Sequence, residues 1–453
     1  MTLSEAARLI RENRLTPLEL LESLLQRIDD LEPKLESWVT LDREKAISTA
    51  KEYSTEASEG KTRGVLHGIP VGVKDIYHAI GMRTTAGSSI LAEYVPGYDA
   101  TAVRRLRDSG AIILGKTETT EFACFDPAPT RNPWNTCHTP GGSSSGSAAA
   151  VSAGMCPAAL GSQTGGSVIR PASFCGVVGV KPSYGRISRY GVIPVSWSLD
   201  HVGFMTRSVE DAAVVLGVLA GYDPRDASSS TLPVPSYERA LDSINPPRLG
   251  LVKGFFRDNA SEEVQVAMDE VANQLRAAGA KVEDANLPES FAAVHSAHRL
   301  IMITEAAAYH EETFRKQATD YRPNLRGMIA SGLLVPANSY IKAQRIRSKF
   351  SREVAGTFEG HDCLLMPSTT MPAPRGLGST GDPAFNSPWS FSGLPAVTLP
   401  SSLSKDGLPM GIQLVGHSFD EERLLRVAKW CEKVVSFGNK LGEKRLPIDV
   451  DEF

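Results

Sequence analysis

Hydrophobic and polar positions at the start of the chain follow a helical period. Apolar residues recur three or four positions apart, at Leu18, Leu21, Leu25 and Ile28. Thr16-Pro17-Leu18-Glu19 places a capping threonine before a proline at the first helical position. The pattern predicts that residues 3–58 are helical and pack over the core or over a partner subunit, with a plain stabilising bundle as the alternative.

Further along, short apolar runs typical of strands alternate with amphipathic segments that end at glycine. The runs predict strands near 71–73, 112–114, 158–160, 177–180, 248–252, 281–283, 364–367, 396–399 and 411–415. Helices are predicted over 101–109, 147–154, 208–219, 262–278 and 419–434, and over most of 290–358. This alternation indicates an α/β fold.

Composition excludes several classes of protein. The 453 residues include 48 basic and 52 acidic side chains, so the net charge of −4 gives no reason to expect nucleic acid as a partner. No apolar run is long enough to span a membrane, and the first residues lack the pattern of a signal peptide. Six scattered cysteines without a C-x-x-C spacing indicate reduced thiols in a cytoplasmic protein, with no zinc site and no metal.

Two loops of small residues carry the candidate chemistry. Gly141-Gly142-Ser143-Ser144-Ser145-Gly146 precedes a short predicted helix, and Gly161-Ser162-Gln163-Thr164-Gly165-Gly166-Ser167 follows a predicted strand. Gly165 and Gly166 let the backbone turn successive N–H groups toward one point, and Pro171 suits the first turn of a following helix. A serine at such a turn can attack a carbonyl while the N–H groups hold the oxyanion.

Lys74 ends the predicted strand in Gly68-Ile69-Pro70-Val71-Gly72-Val73-Lys74-Asp75. If the side chain is buried without a counter-ion, desolvation lowers the pKa of its amine toward the range useful to a general base. The alternative is a structural lysine paired with Asp75 or another carboxylate.

Other motifs support rival interpretations. Gly142-Ser143-Ser144-Ser145-Gly146 fits the G-x-S-x-G elbow of α/β-hydrolases, but the residues before it read as a loop and not as a strand. Ser339-Tyr340-Ile341-Lys342 fits S-x-x-K without its companion motifs, and His295 and His298 lack a third metal ligand. The Pro/Ser/Gly-rich stretch 367–395 is a candidate lid or pocket wall, or else a surface excursion.

Taken together, Lys74, the Gly-Gly-Ser-Ser-Ser-Gly-Ser loop and Gln-Thr-Gly-Gly-Ser-x-Ile-Arg-Pro resemble the amidase signature family over nearly the whole chain. The resemblance implies a Ser-cisSer-Lys triad, with Ser167 as nucleophile, Ser143 as the serine after a cis peptide and Lys74 as base. It implies an oxyanion hole formed by the N–H groups of Thr164, Gly165, Gly166 and Ser167. Ser144 and Ser162 are expected to support the triad.

The resemblance also implies a single domain over 1–453, with a mixed central sheet surrounded by helices. Within it we expect a helical arm over 1–60, a catalytic core over 61–222, and over 245–453 the rest of the sheet and the substrate-pocket segments. The pocket walls are expected near 122–131, 300–340 and 370–392. The protein is expected to be a homodimer that uses no cofactor.

Two departures from the common family pattern concern the substrate. Gln163 stands where much of the family has aspartate, and Arg170 lies three residues after the nucleophile instead of two. Both resemble the malonamidase-like branch, in which the arginine holds a substrate carboxylate. We therefore expect Arg170 and Gln163 to bind substrate, with a structural role for Arg170 as the alternative.

The predicted reaction is hydrolysis of a small-molecule carboxamide to a carboxylate and ammonia or an amine, through an acyl-enzyme. An A-subunit-like glutaminase of a tRNA-dependent amidotransferase is the alternative, although its usual aspartate and S-x-R spacing are absent. A non-catalytic binding module is a third class, which the intact Lys74, Ser143 and Ser167 set disfavours.

Overall fold

One mixed β-sheet organises the protein in this computed structural model, which describes residues 1–242 and 245–440. Within those residues eleven strands lie in the order β1-β3-β2-β4-β6-β5-β10-β11-β9-β7-β8. Their bounds are β1 Trp38–Leu41, β2 Pro70–Lys74, β3 Ile112–Thr117, β4 Ala158–Gln163, β5 Val178–Lys181, β6 His201–Thr206, β7 Arg248–Val252, β8 Lys281–Ala285, β9 Cys363–Pro367, β10 Ala396–Leu403 and β11 Pro409–Val415. The predicted mixed central sheet is confirmed.

Helices cover the sheet on both faces. Their bounds are α1 Leu3–Arg11, α2 Pro17–Leu35, α3 Arg43–Ser58, α4 Thr101–Asp108, α5 Ser145–Ser152, α6 Ile169–Phe174, α7 Val209–Leu219, α8 Phe255–Asp258, α9 Glu262–Ala277, α10 Val294–Gln317, α11 Pro323–Gly332, α12 Ala337–Glu353, α13 Ser387–Ser392, α14 Glu421–Val435 and α15 Phe437–Lys440. Because helices pack on both sides, the central strands are buried throughout, which is why their sequences read as unbroken apolar runs.

The N-terminal segment packs on the core of its own chain. The apolar stripe of α2, which includes Leu21, Leu25 and Ile28, joins a buried cluster with residues of β3, β4 and α5. At α1, the backbone N–H groups of Leu3 and Ser4 donate to the carboxylate of Asp211.

Two strands, β1 and β6, and three helices, α8, α13 and α15, were missed by the hydrophobic pattern. Residues 3–58 are not wholly helical, because β1 interrupts them and pairs with β3 at the sheet edge. β6 lies between β4 and β5. The stretch 367–395 contains α13, whose tryptophan, Trp389, is fully buried, so it is not simply an excursion over the surface.

The sheet brings the two candidate motifs together. β2 and β4 are parallel neighbours, with Val73 opposite Leu160, so Lys74 and Ser162 meet where both strands end. The carboxyl ends of adjacent parallel strands are a common location for ligand sites in α/β proteins.

Candidate active site

Lys74 is fully buried at the end of β2 and contacts two hydroxyl groups. Its Nζ lies 2.7 Å from Ser143 Oγ and 2.9 Å from Ser162 Oγ. Among the residues that the structure describes, no carboxylate forms an ion pair with it. Burial lowers the pKa of Lys74 to about 7, and the more distant charge of Asp200 opposes the shift only in part.

Asp75, the nearest carboxylate in sequence, belongs to another lysine. Lys116 Nζ, from β3, lies 2.8 Å from Asp75 Oδ1 and also donates to Thr84 Oγ1 at 2.8 Å. The alternative in which Asp75 neutralises Lys74 is therefore wrong.

Ser143 is held in a tight turn ahead of α5. The peptide bond between Gly142 and Ser143 is cis. Arg170 Nη2 donates to Gly142 O at 2.7 Å, and Thr120 N donates to Ser143 O at 3.3 Å. These contacts anchor the turn on both sides of the serine whose hydroxyl meets Lys74.

Ser167 occupies the turn between β4 and α6 and is only partly buried. Ser144 N donates to Ser167 O at 3.3 Å, which joins the two serine loops. Within the described residues, no hydrogen bond links Ser143 Oγ to Ser167 Oγ. The structure thus brings Lys74 and Ser143 into contact and places Ser167 in the adjoining loop, and the last link of the predicted relay is not formed.

The glycine turn presents unpaired backbone N–H groups. In the described part of the chain, the N–H groups of Thr164, Gly165, Gly166 and Ser167 donate to no protein acceptor, whereas all four carbonyl groups accept a hydrogen bond. A run of free N–H groups on a backbone fixed through its oxygens suits the binding of an anion.

Gln163, which the sequence predicted to bind substrate, faces the protein interior in this structure. The side chain is fully buried. Its Oε1 accepts hydrogen bonds from the N–H groups of Val168 and Ile169, and its Nε2 donates to Ser390 Oγ at 3.1 Å. The amide therefore braces the glycine turn.

Ser144 and Ser162 lie directly behind the candidate triad. Ser162 N donates to Ser144 Oγ at 3.2 Å, while Ser162 Oγ accepts from Lys74. The two hydroxyl groups tie the start of α5 to the end of β4.

Arg170 is buried and clasps two loops. Its Nη1 donates to Gly381 O at 2.8 Å, and its Nη2 donates to Gly142 O and to Thr380 Oγ1. Its Nε is a buried donor without a partner. Burial lowers the pKa of the guanidinium to about 10, which leaves it charged at neutral pH.

Residues outside both motifs complete the surroundings of the glycine turn. Asp200 accepts a hydrogen bond from Thr164 Oγ1 at 2.6 Å, and burial raises the pKa of that carboxyl group. His298, on α10, contacts Thr164 O, and Ser390, on α13, donates to Gly165 O. No local signal in the sequence marks Ser390, since its contact with the glycine turn depends on how distant elements pack.

His295 and His298 do not form a metal pair. His295 Nε2 lies 3.0 Å from Ala384 O, and His298 Nε2 lies 2.9 Å from Thr164 O. Across the described residues, no group of three or more His, Cys, Asp or Glu side chains is arranged to hold a metal ion. All six cysteines are free thiols.

A cavity of about 580 Å³ reaches the back of this site. It touches the lysine's surroundings through Ser162 and Asp200, and aromatic side chains including Trp197 and Tyr309 line its outer part. Ser167 is not among its lining residues. The helices of the described residues include none long and apolar enough to cross a membrane.

Lys74 is buried against the Ser143 hydroxyl, and Ser167 lies beside them in a turn with free N–H groups. This arrangement is a candidate site for a serine amidohydrolase. The Amidase family model matches residues 19–425, and the chain belongs to this family. A similar relative is the A-subunit of the glutamyl-tRNA(Gln) amidotransferase of Roseiflexus sp. (strain RS-1). The two are 37% identical over an alignment 486 residues long, which covers 99% of each chain.

Solved structures agree with this assignment. The peptide amidase from Stenotrophomonas maltophilia is 30% identical, with a TM-score of 0.85 and coverage of 100% of this chain and 99% of the amidase. Another amidase is 34% identical, with a TM-score of 0.87 and coverage of 96% and 99%. Both the family resemblance and the α/β fold predicted from the sequence are confirmed.

Proposed function

We propose that this protein hydrolyses a small carboxamide through an acyl-enzyme on Ser167. The observation that carries the proposal is the contact of 2.7 Å between Lys74 Nζ and Ser143 Oγ, made by a lysine that has no ion pair within the described chain. A lysine with a pKa of about 7 is about half neutral at pH 7, and the neutral amine can accept a proton.

The proposed first half-reaction forms the acyl-enzyme. The relay requires that the Ser143 and Ser167 hydroxyl groups come within hydrogen-bond distance when the amide binds. Ser143 then passes its proton to Lys74 as it takes the proton of Ser167, and Ser167 Oγ bonds to the substrate's carbonyl carbon. The carbonyl oxygen becomes an oxyanion that the free N–H groups of the glycine turn can bind. Collapse breaks the carbon–nitrogen bond, and the proton held by Lys74 returns through Ser143 to the leaving nitrogen.

The second half-reaction repeats these steps with water. Lys74 and Ser143 take a proton from the attacking water, whose oxygen bonds to the acyl carbon. The ester bond to Ser167 then breaks, the proton returns to Ser167 Oγ, and the carboxylic acid product leaves. Neither half-reaction needs a group beyond this chain, the amide and water.

The proposal is tested by replacing the nucleophile. Ser167→Ala should abolish ammonia release from every amide that the wild-type protein hydrolyses, with unchanged circular dichroism. Ser109→Ala is the control, because that hydroxyl donates to Leu106 O at the end of a helix away from the site. Hydrolysis by the Ser167→Ala variant at the wild-type rate would refute the assignment.

A second candidate is the glutaminase component of a tRNA-dependent amidotransferase. The observation in its favour is the 37% identity to such a component over almost its full length. In that case glutamine would be the amide, and the ammonia would be used by a partner protein that modifies charged tRNA. The two functions are separated by an ammonia-release screen over glutamine, malonamate, and aliphatic and aromatic amides, together with copurification from cells.

A stable partner protein together with selective use of glutamine would favour the amidotransferase. Turnover of other small amides by the isolated chain would favour the amidase. The same screen tests the carboxylate-bearing amide that the sequence predicted, and the predicted homodimer is tested by measuring the mass of the purified protein in solution.

A further inference from the structure

The glycine turn needs outside contacts to fix its shape. Glycine populates more backbone conformations than other residues, and Gly165 and Gly166 are consecutive. In a planar trans peptide, the C=O of one residue and the N–H of the next point in opposite directions. A hydrogen bond to a carbonyl in this turn therefore sets the direction in which the following N–H points.

Each N–H of the glycine turn after Thr164 is set in this way. The Gly165 N–H is set by the bond from His298 Nε2 to Thr164 O at 2.9 Å. The Gly166 N–H is set by the bond from Ser390 Oγ to Gly165 O at 2.9 Å. The Ser167 N–H is set locally, by Arg170 N donating to Gly166 O at the start of α6.

The two donors from distant helices are themselves fixed. Ser390 is fully buried and accepts the N–H of Gln163 Nε2, so its single proton is directed to Gly165 O. His298 is 5% exposed, and because a carbonyl oxygen can only accept, its Nε2 must carry the proton. Burial lowers the pKa of His298 to about 4, so the ring stays neutral at the pH of catalysis.

We propose that His298 and Ser390 are positioning residues of the oxyanion hole, which aim the Gly165 and Gly166 N–H groups at the developing oxyanion. The proposal rests on the proposed function, since it requires that Ser167 attack a carbonyl. His298 and Ser390 lie 131 and 223 positions after Ser167, outside both serine motifs. The role of His298 also accounts for a histidine that has no metal to bind.

Oxyanion donors act mainly in the transition state, so misaligning them should lower kcat and leave KM nearly unchanged. Removing one such donor typically lowers kcat by about 10²–10³-fold. Losing only its alignment should cost less, and we expect a decrease of about 10–10²-fold for each variant.

The test compares disruptive, conservative and control variants. His298→Phe keeps a ring but removes the N–H, and His298→Gln can restore a side-chain N–H. Ser390→Ala removes the hydroxyl, and Ser390→Thr restores it. The controls are His295→Phe, because His295 contacts Ala384 O and not the glycine turn, and Ser109→Ala, because that hydroxyl donates to Leu106 O at the end of α4.

Two quantities are measured on folded protein, verified by circular dichroism. The first is kcat and KM on an amide that the wild type hydrolyses. The second is the rate at which a fluorophosphonate labels Ser167, read by mass spectrometry, because the phosphoryl oxygen of the adduct requires the same N–H groups. We expect both kcat and the labelling rate to fall in His298→Phe and Ser390→Ala. Both should recover in His298→Gln and Ser390→Thr, and both should equal the wild-type values in the two controls.

The outcomes separate the two proposals. If the wild type is not labelled at Ser167, the proposed function fails. If the wild type is labelled and Ser390→Ala is labelled at the same rate, the positioning role fails while the function stands. Should His298→Phe not fold, Ser390→Ala alone decides, because it removes one buried oxygen atom and adds no volume.

Discussion

The ammonium of Lys116 lies 2.8 Å from Asp75 Oδ1, and both side chains are fully buried. Lys74 and Lys116 stand on the neighbouring parallel strands β2 and β3, yet only Lys116 has a carboxylate. The other oxygen of Asp75 accepts from Thr85, so this carboxylate is fully occupied. Asp75 thereby gives Lys116 a counter-ion and opposes the lowering of its pKa by burial, and Lys74 is left with hydroxyl groups alone.

The buried pair should be essential to stability. Asp75→Asn leaves Lys116 without its counter-ion, and breaking a buried pair from one side typically costs about 3–5 kcal/mol in the free energy of unfolding. Urea denaturation measures this loss in the free energy of unfolding. Asp284→Asn is the control, because its pair with Lys253 is half-exposed and such pairs contribute little. Equal losses in the two variants would contradict the prediction.

The activity should depend on pH through Lys74. The neutral amine is the active form, so activity is low when Lys74 is protonated and rises as pH increases through its lowered pKa of about 7. We expect an ascending limb in kcat/KM centred near pH 7, and Lys74→Met should reduce kcat by about 10²–10⁴-fold.

Lys181→Met is the matched control for this limb. Lys181 is also buried with its pKa lowered to about 7, but it donates to Leu394 O and Pro182 O and not to a serine. The folded fraction of that variant should keep the limb. A wild-type profile that is flat between pH 6 and 9 would count against a neutral lysine as base.

Arg170 should affect neutral and acidic amides alike. Its Nη1 and Nη2 atoms already donate to protein oxygens on two loops, so Arg170→Ala should displace the turn before Ser143. We expect kcat/KM to fall by about 10²-fold for both kinds of substrate, which is typical of a small misplacement of reacting groups. Steady-state kinetics on a matched pair of amides, with and without a carboxylate, gives the ratio. A loss confined to the carboxylate-bearing amide would show instead that Arg170 binds substrate.

Gly166 should not tolerate a side chain. A Cβ at this position would lie 2.6 Å from Asn386 Oδ1 and 3.2 Å from Pro383 Cβ, so Gly166→Ala must shift the turn that carries the free N–H groups. We expect kcat to fall about 10²-fold with a folded protein.

Gly327→Ala is the control, since a Cβ there meets nothing within 4 Å and the residue lies inside a helix. Its unfolding free energy should rise by about 0.5–1 kcal/mol and its kcat should not change. Adding Asn386→Ala to Gly166→Ala should recover part of the lost kcat, because it removes the nearest obstacle. A fully active Gly166→Ala variant would contradict the prediction, because it would mean that the turn adjusts to a side chain at this position.

The sequence predicted well what depends on local pattern. Strands such as β2 and β4 read as apolar runs because both of their faces are buried, and their parallel pairing explains why Lys74 and Ser162 meet. β1 was missed because four residues carry too little periodicity to stand out between two helices.

The contacts of individual side chains could not be read from the sequence. Gln163 sits beside the nucleophile loop, and its position alone suggested substrate binding. Only the packing of α13 shows that its amide spans the start of α6 and Ser390. Likewise, the spacing of His295 and His298 suggested metal ligands, whereas the structure gives each ring a separate backbone carbonyl.

The contacts of His298 and Ser390 limit how far this catalytic apparatus can be moved. Residues 74 to 170 contain the proposed base, both serines and the glycine turn, so the proposed reactive groups come from fewer than a hundred consecutive positions. His298 and Ser390, which donate hydrogen bonds to the glycine turn, lie in the C-terminal half of the polypeptide. A fragment of residues 74 to 170 grafted onto another scaffold would therefore carry the reactive residues but would lack the two side chains that fix the conformation of the glycine turn.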